Sequence, residues 1–261
     1  MMVIKEGRRT MPIAWVHTLP ATFEGKARMM VQNAMAAAAA AHVAGAHLHD
    51  IRQGLRSFTT SIYQAPGRLN VFDLNGITVI IDYAHNAAGL RTVGDFIERL
   101  VAGSPHGERP GEASWSANLR VAVIATPGDR RDEDMRELGR TAAKYFDEVI
   151  VREDRKLRGR RPGETAEIVL EGVNEAIDKS GTRAGSARIV LDEMDATRAA
   201  LDHSRPGDLI LLCADYATEV YKELEHRRGV ASPQALPPAE SGLVEAAGGD
   251  PDLLGIEVAP G

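Results

Sequence analysis

The stretch that decides the fold is PGRLNVFDLNGITVIIDYAHN, residues 66–86. Two strand-like apolar runs, at 69–74 and 77–83, flank Asn75-Gly76, the dipeptide best suited to a tight hairpin turn. The second run ends in the polar residues DYAHN, and ligands of open α/β sheets bind beyond the carboxyl ends of such strands. The stretch therefore predicts an edge hairpin whose second strand ends at a candidate binding site.

Strand-like and helix-like segments alternate after this hairpin. Further strand candidates lie at 119–126, 148–153, 187–192 and 208–214, and helical patterns lie at 88–100, 132–145, 163–178, 193–203 and 216–227. A polar segment with Gly and Pro, 104–118, is predicted to be a surface loop. Because near-continuous apolar strands alternate with helices, we predict an α/β domain with a Rossmann-like, mostly parallel sheet and an antiparallel N-terminal edge hairpin.

The residues before the hairpin favour helices. Residues 23–44 form a strong helix-forming run with six consecutive alanines, and 48–55 suggest a second, shorter helix. Residues 1–20 hold only short apolar stretches broken by prolines, and they do not resemble the start of a domain. The predicted organisation is a helical segment at 1–58, an α/β domain at 59–228 and a tail at 229–261.

Composition and charge indicate a globular protein with an acidic tail. The chain has 261 residues, of which 44% are apolar and 26% charged, and its formal net charge is −6. Residues 229–261 hold five of the 37 acidic side chains and none of the 31 basic ones, with five prolines and six glycines, so we expect a flexible acidic tail. The remainder is close to neutral, which argues against non-specific nucleic-acid binding.

Other classes of protein and site are disfavoured. The single cysteine, Cys213, excludes an intrachain disulfide and lies in an apolar run, where we expect a buried thiol. No segment approaches the roughly 18 apolar residues that indicate a membrane span, and the N-terminus lacks a signal-peptide pattern, so we expect a cytoplasmic protein with no membrane partner. His42, His47 and His49 have no partners at metal-ligand spacing, and no metal site is expected there.

The first polar cluster with chemical potential is DYAHN, residues 82–86. A carboxylate at Asp82 can accept hydrogen bonds from ribose hydroxyls, and His85 and Asn86 can bind a base or a phosphate. Alternatively, Asp82 and Asn86 only cap the helix that follows. The chemistry of these residues leaves both interpretations open.

The second cluster is TPGDRRDED, residues 126–134, at the end of another predicted strand. Its last three acidic residues are favourable at a helix N-terminus without any ligand. That explanation accounts less well for Asp129 and Arg130, whose charges at a strand exit can contact a polar ligand. The cluster therefore combines a helix start with two candidate ligand contacts.

The third cluster is REDRKLRGRRPGE, residues 152–164, with six basic residues within ten positions. Such a run is often a solvated surface. Its position after a strand favours binding, because Glu153 and Asp154 suit a cationic ligand and the arginines suit carboxylates through two-pronged hydrogen bonds.

These motifs carry a resemblance to a known family. DYAHN and the preceding PGR resemble the motifs that open the C-terminal domain of Mur ligases, although Ala87 stands where that family has proline. GDRRDEDMRELGR, from Gly128, and the arginine-rich third cluster are similar to the cyanophycin synthetase branch of the family. NAMAAAAAA, from Asn33, resembles a helix that closes the central ATPase domain, but Met29-Met30 replaces the family's His-Asn pair. The resemblance covers roughly 22–228.

The resemblance implies a role for each of these motifs. Residues 1–58 would be the helical end of a Mur-type central domain, followed by the C-terminal domain that holds an incoming amino acid and closes over ATP. The implied nucleotide-binding residues are Asn33, Arg68, Asp82, His85 and Asn86. The implied substrate-binding residues are Asp129, Arg130, Glu153, Asp154, Arg158 and Arg161. No residue is singled out as catalytic.

The implied reaction is ATP-dependent amide formation. ATP activates a carboxylate as an acyl phosphate, which an amino group then attacks, and the implied partners are an arginine-like amino acid and an acidic acceptor peptide or polymer. The phosphate loop G-x-x-x-x-G-K-[ST] is not in this sequence. We therefore expect another ligase segment or a partner chain to supply it and to hold most of the Mg²⁺ contacts; a homo-oligomer is compatible with this scheme.

Two alternatives stay open from the sequence. The chain is either part of a ligase or a non-catalytic module that retains the fold and binds a nucleotide or an amino acid. A dinucleotide-binding oxidoreductase is disfavoured, because no predicted strand is followed by G-x-G-x-x-G.

Overall fold

The computed structural model describes residues 1–102, 118–179 and 181–230. The predicted polar loop at 104–118, except for its last residue, and almost all of the predicted acidic tail lie outside the described residues. The strands are β1 (Met2–Glu6), β2 (Arg9–Ala14), β3 (Asn70–Leu74), β4 (Ile77–Asp82), β5 (Arg120–Ile124), β6 (Glu148–Val151), β7 (Ser186–Ile189) and β8 (Leu209–Cys213). The α-helices are α1 (Arg28–Val43), α2 (Leu48–Ser57), α3 (Ala87–Val101), α4 (Asp132–Tyr145), α5 (Glu164–Asp178), α6 (Glu193–His203) and α7 (Ala217–Val230).

The main sheet has six strands in the order β3-β4-β8-β5-β6-β7. β3 pairs with β4 in an antiparallel register, and every other neighbouring pair is parallel. The predicted edge hairpin is thereby confirmed, and its turn residues Asn75 and Gly76 have φ of 54° and 86°, as the favoured hairpin turn requires. The carboxyl ends of β4, β8, β5 and β6 consequently lie along one edge of the sheet.

Helices cover both faces of this sheet. Side chains alternate along β4, so that Ile80 joins one core with α3, α4 and α5, whereas Val79 and Ile81 join a second core with α6 and α7. Phe96 of α3 and Val220 of α7 are fully buried in these respective cores. The predicted α/β class with a mostly parallel sheet is confirmed.

A separate small core forms before the main sheet. β1 and β2 pair as an antiparallel hairpin, and they pack with α1 and α2 around Met2, Ile13, Leu19 and Ile51. The sequence predicts both helices but not this hairpin, because its strands are short and Pro12 interrupts the second one. Within residues 1–102, 118–179 and 181–230, no helix is both long and apolar enough to cross a membrane.

Candidate functional site

An open cleft of about 800 Å³ lies between the N-terminal helices and the start of the main sheet. Its walls come from α1, α2, the segment before β3, the end of β4 and the start of α3. Most of its lining is apolar, including Met30, Ile51 and Phe58, and a few polar side chains accompany them. Pockets for small ligands usually combine such an apolar wall with a few placed polar groups.

The structure brings three of the predicted nucleotide-binding residues, Asn33, Arg68 and Asp82, to this cleft. Asn33 is an exposed residue of α1, and its amide nitrogen lies 3.7 Å from the sulfur of Met30. The Arg68 guanidinium lies 5.0 Å from the centre of the Tyr83 ring, a distance typical of a cation–π contact. The Arg68 guanidinium forms no ion pair within the described residues.

Asp82 is the last residue of β4, and its carboxylate accepts a hydrogen bond of 2.9 Å from the backbone N–H of Leu69. Burial raises the pKa of the Asp82 carboxyl above its usual value, and this hydrogen bond and the nearby Arg68 charge offset only part of the effect. Asp82 is therefore not a cap of the following helix. It is a partly desolvated acceptor at the wall of the cleft.

The segment before β3 is held in place by Asn70, which is fully buried. The Asn70 side chain accepts from the Gly67 N–H at 2.7 Å and donates to the carbonyl oxygens of Thr60 and Ala65 at 2.7 and 2.8 Å. Leu69 has φ of 51°, a left-handed conformation that aims its N–H at Asp82. The PGR motif thus positions Arg68 beside the Asp82 carboxylate through buried polar contacts.

The other two predicted nucleotide-binding residues lie elsewhere. The side-chain oxygen of Asn86 accepts from the N–H of Gly89 at 2.8 Å, so it caps α3. His85 has Nδ1 3.0 Å from the carbonyl oxygen of Tyr83 and lines a small recess of about 10 Å³ together with Asp154. Neither side chain lines the large cleft. The five residues predicted to bind a nucleotide therefore do not lie at one site.

The loops after β5 and β6 lie in direct contact with each other. The N–H of Gly128 donates to the carbonyl oxygen of Lys156 at 3.0 Å, and a Cβ atom at Gly128 would lie 1.9 Å from the carbonyl oxygen of Leu157. Only glycine allows this approach. The second and third sequence clusters are therefore parts of one surface.

Asp129, Arg130 and Arg158 form one group of exposed charges on this surface. Asp129 pairs with Arg158 at 3.3 Å and lies 3.9 Å from Arg130, and between 40% and 50% of each of these side chains is exposed. Arg158 also has φ of 51°, which costs a residue with a side chain on the order of 1–3 kcal/mol. Such backbone strain often accompanies functional loops, so Arg158 is a strong candidate contact.

Two further basic residues of the third cluster, Arg160 and Arg161, are engaged by acids. Arg160 donates to Asp132 and Glu164 at 2.7 and 2.9 Å, and it also donates to the backbone oxygens of Gly128 and Arg130. Arg161 pairs with Glu167 on α5 and is exposed. These ion pairs tie the loop to the first turns of α4 and α5, where acidic residues are favourable.

Glu153 and Asp154, predicted as substrate contacts, also shape the loop. Glu153 accepts from the N–H of Gly163 at 2.5 Å, and Asp154 accepts from the N–H of Lys156 at 2.7 Å. Asp154 is 6% exposed and lines the small recess with His85. One carboxylate oxygen of each residue is thus used for local structure.

The sequence analysis did not select Arg152, Glu193, Asp215 and Tyr216 as site residues. Arg152 and Glu193 form a buried ion pair of 3.2 Å, and Asp215 lies 3.1 Å from the same Arg152 nitrogen. The guanidinium of Arg155 stacks 4.0 Å above the Tyr216 ring. For Arg152, Asp215 and Tyr216 the available signal was their position just after β6 and β8, because chemistry in this sheet class concentrates at strand ends. Across the described part of the chain, no group of three or more His, Cys, Asp or Glu residues is arranged to hold a metal ion.

Comparisons with known proteins identify the family of this chain. The family model described as the Mur ligase, glutamate ligase domain, matches residues 67–216. The chain is 38% identical over 228 residues to the cyanophycin synthetase of Synechocystis sp. and 36% identical over 227 residues to that of Crocosphaera subtropica, in each case covering 87% of this chain. It spans 24% of the length of these relatives, about a quarter.

Solved structures show the same fold at lower sequence identity. The bifunctional folylpolyglutamate synthase/dihydrofolate synthase of Yersinia pestis aligns with a TM-score of 0.55 and 21% identity, covering 85% of this chain and 43% of that one. The UDP-N-acetylmuramate-alanine ligase of Thermotoga maritima aligns with a TM-score of 0.51 and 15% identity, covering 78% and 38%. The family match and the cyanophycin synthetase relatives together show that this chain belongs to the Mur ligase family, with its glutamate ligase domain at residues 67–216.

Proposed function

We propose that this chain supplies nucleotide-binding and amino-acid-binding surfaces of an ATP-dependent, amide-forming ligase similar to cyanophycin synthetase. The observation that carries the proposal is the placement of two different polar surfaces along one edge of the sheet. Asp82 and Arg68 line a large apolar cleft at the end of β4, and Asp129 and Arg158 lie on the joined loops after β5 and β6. A ligase needs both a nucleotide and an amino acid near one reaction centre.

The cleft suits the adenosine end of ATP. Its volume is within the usual range for small-molecule sites, and its apolar wall can pack against a base. Asp82 offers a carboxylate oxygen to ribose hydroxyls, Arg68 offers a cation to the phosphates, and Asn33 offers an amide to the base edge. When bound, ATP supplies the phosphoryl group that activates the acceptor carboxylate. His85 and Asn86 stay predicted contacts of a nucleotide, although Asn86 already caps α3.

The joined loops suit an amino acid that carries both charges. Arg158 and Arg130 can bind its carboxylate by charge-assisted hydrogen bonds, and Asp129 can bind its cationic end. Glu153 and Asp154 each keep one carboxylate oxygen beyond their local hydrogen bonds, and Arg161 extends the basic surface. We infer that the ligand is arginine-like, because acids and arginines alternate across this surface.

In this proposal, residues outside 1–261 carry out the other parts of the reaction. The sequence has no G-x-x-x-x-G-K-[ST] motif, so in this proposal another segment or chain contacts the triphosphate and holds most of the Mg²⁺ ligands. The acceptor is an acidic peptide or polymer, by analogy with the relatives. The residues described here bind and orient the two ligands.

Titration calorimetry with ATP and Mg²⁺, and separately with L-arginine, tests the binding surfaces. We expect Asp82→Asn to weaken ATP binding alone and Arg158→Ala to weaken arginine binding alone. Asp178→Asn is the matched control, because Asp178 ends α5 and the 15 residues of that helix place it about 20 Å from the helix start at the loop. Absence of ATP binding by the unaltered chain would contradict the nucleotide assignment.

A complementation assay separates a ligase component from a binding module. The chain is mixed with the portion of the Synechocystis relative that it does not match, together with ATP, L-arginine and an aspartate-containing peptide. We expect arginine-dependent phosphate release and a peptide product of greater mass, both lost with Arg158→Ala. Tight ligand binding without any product under these conditions would favour the non-catalytic module.

A further inference from the structure

A buried charge cluster joins the ends of β6 and β8, outside the contacts assigned above. Arg152 is 3% exposed, and its guanidinium donates to the carbonyl oxygen of Cys213 at 2.7 and 3.2 Å and to that of Glu153 at 3.0 Å. The same guanidinium lies 3.1 Å from Asp215 and 3.2 Å from Glu193. One side chain therefore contacts the backbone of both strand exits.

Glu193 completes the connection from the start of α6. It is 6% exposed, and its two oxygens accept from the N–H groups of Asp215 and Tyr216 at 3.2 and 3.0 Å. The loop that begins with Glu153 and the segment that leads into α7 are thus held by a single hydrogen-bonded unit. A buried charge is costly unless it is paired and hydrogen-bonded. Because only one arrangement of these side chains makes all of the contacts, the unit favours a single geometry.

The unit adjoins the proposed amino-acid surface at Asp154. Asp154 and Asp215 line the same small recess as Arg152. At the protein surface, Arg155 from the loop after β6 stacks on Tyr216 from the segment after β8. This is a second contact between the two strand exits. A shift of β6 relative to β8 would move the whole loop after β6, including Arg158.

We propose that Arg152 is a positioning residue for amino-acid binding, acting with Glu193 to fix the loop after β6 against the segment after β8. It touches no ligand itself. This inference rests on the proposed function, because it assumes that the loop after β6 binds the amino acid. Arg152 would keep Arg158 and Asp154 in a binding-competent arrangement before the ligand arrives. Less conformational entropy of the loop is then lost on binding.

Arg152→Lys is the informative variant. Deleting the whole guanidinium leaves Glu193 and Asp215 without a counter-charge, and the chain is then expected to lose stability for that reason alone. Lysine keeps the charge, but its single nitrogen cannot reach all four acceptors at once. The matched control is Arg183→Lys, since Arg183 pairs with Asp147 at 3.0 Å near the opposite, amino-terminal ends of β6 and β7.

Three measurements on the intact chain decide the matter: the melting temperature, the affinities for L-arginine and for ATP, and amide hydrogen exchange over 153–163 and 213–217. We expect Arg152→Lys to weaken arginine binding by about tenfold, because the loop after β6 must then be ordered when the ligand binds. Exchange should become faster in both segments and the melting temperature should fall, because buried acceptors lose a donor, while ATP affinity stays near that of the unaltered chain. The Arg183→Lys control should change neither affinity nor exchange at these segments.

The outcomes distinguish this inference from the proposed function. Unchanged arginine affinity and unchanged exchange in Arg152→Lys overturn the positioning role, and so does an equal loss of ATP affinity, which would indicate a general disturbance. If the unaltered chain binds no arginine, the amino-acid part of the proposed function fails. Hydrogen exchange then still decides whether Arg152 fixes the two segments.

Discussion

Replacing Asp82 by asparagine should separate the function of this residue from its effect on stability. Asparagine has nearly the same shape, and its oxygen can still accept the hydrogen bond that the Leu69 N–H donates at 2.9 Å. The substitution removes the negative charge and replaces the other carboxylate oxygen by an amide nitrogen that only donates. Because the carboxylate is partly desolvated in the folded chain, charge removal should weaken ligand binding without weakening the fold.

The expected loss of nucleotide affinity follows from the one carboxylate oxygen that Leu69 does not use. A hydrogen bond to a charged acceptor contributes roughly 1.5–3 kcal/mol and a neutral one roughly 0.5–1.5 kcal/mol. The difference of about 1–2 kcal/mol corresponds to an affinity for ATP that is about 5- to 30-fold weaker. Titration calorimetry at constant salt measures this change directly.

The stability effect has a defined sign and pH dependence. Burial raises the pKa of Asp82 in the folded chain above 3.8, its ordinary value, so the folded state disfavours the charged form. The stability that the protonated carboxyl contributes is fully present below pH 3.8 and is lost as the pH rises through the raised folded-state pKa. The melting temperature of Asp82→Asn relative to the unaltered chain should therefore increase over that window and then level off.

Melting curves of both proteins between acidic and neutral pH test this reasoning, with Asp178→Asn as the exposed control. We expect Asp82→Asn to bind ATP more weakly and, at neutral pH, to melt no lower than the unaltered chain. If Asp82→Asn instead melts progressively lower than the unaltered chain as the pH rises through this window, the carboxylate charge contributes stability and the assignment of Asp82 as a desolvated ligand group is refuted.

Three further substitutions test other parts of the site. Asn86→Ala should cost about 1 kcal/mol of unfolding free energy through loss of the α3 cap, and unchanged ATP affinity would show that capping is its main role. Gly128→Ala should cost about 1–3 kcal/mol, because its Cβ would lie 1.9 Å from the carbonyl oxygen of Leu157; an unchanged melting temperature would contradict the close loop contact. Arg158→Ala should leave the melting temperature nearly unchanged, since it removes only an exposed ion pair, while arginine affinity falls; equal affinity would remove Arg158 from the site.

The fold was largely predictable because its main signals are local. Asn75-Gly76 between two apolar runs indicated the hairpin, and the apolar strands that alternate with helices indicated a mostly parallel sheet. The hairpin of β1 and β2 gave no comparable signal, because Pro12 and several charged residues obscure its alternation. Its apolar side chains acquire a partner only when α1 and α2 fold against them.

The site was predictable only in part because sequence shows residue types and not their partners. Asp82 and Asn86 look equally suited to capping, yet only Asn86 caps α3. Arg152 opens a run of exposed arginines and is itself buried, because Glu193 and Asp215 approach it from distant parts of the chain. No local pattern distinguishes such an arginine from its neighbours.

The charge balance of the loop after β6 gives a physical reason for the type of ligand. Arg160 and Arg161 are neutralised by acids on the loop, α4 and α5, whereas Arg158 has only Asp129 as an acidic partner within the described residues. A ligand with one charge would compete with the Asp129–Arg158 pair and replace one exposed ion pair by another, which gains little. An amino acid with a carboxylate and a cationic end can replace that pair by two new ones, so no charge loses its partner on binding. Under the proposed function, simple carboxylates and simple amines should therefore bind more weakly than arginine, and a simple carboxylate that bound as tightly would contradict the exchange of ion pairs.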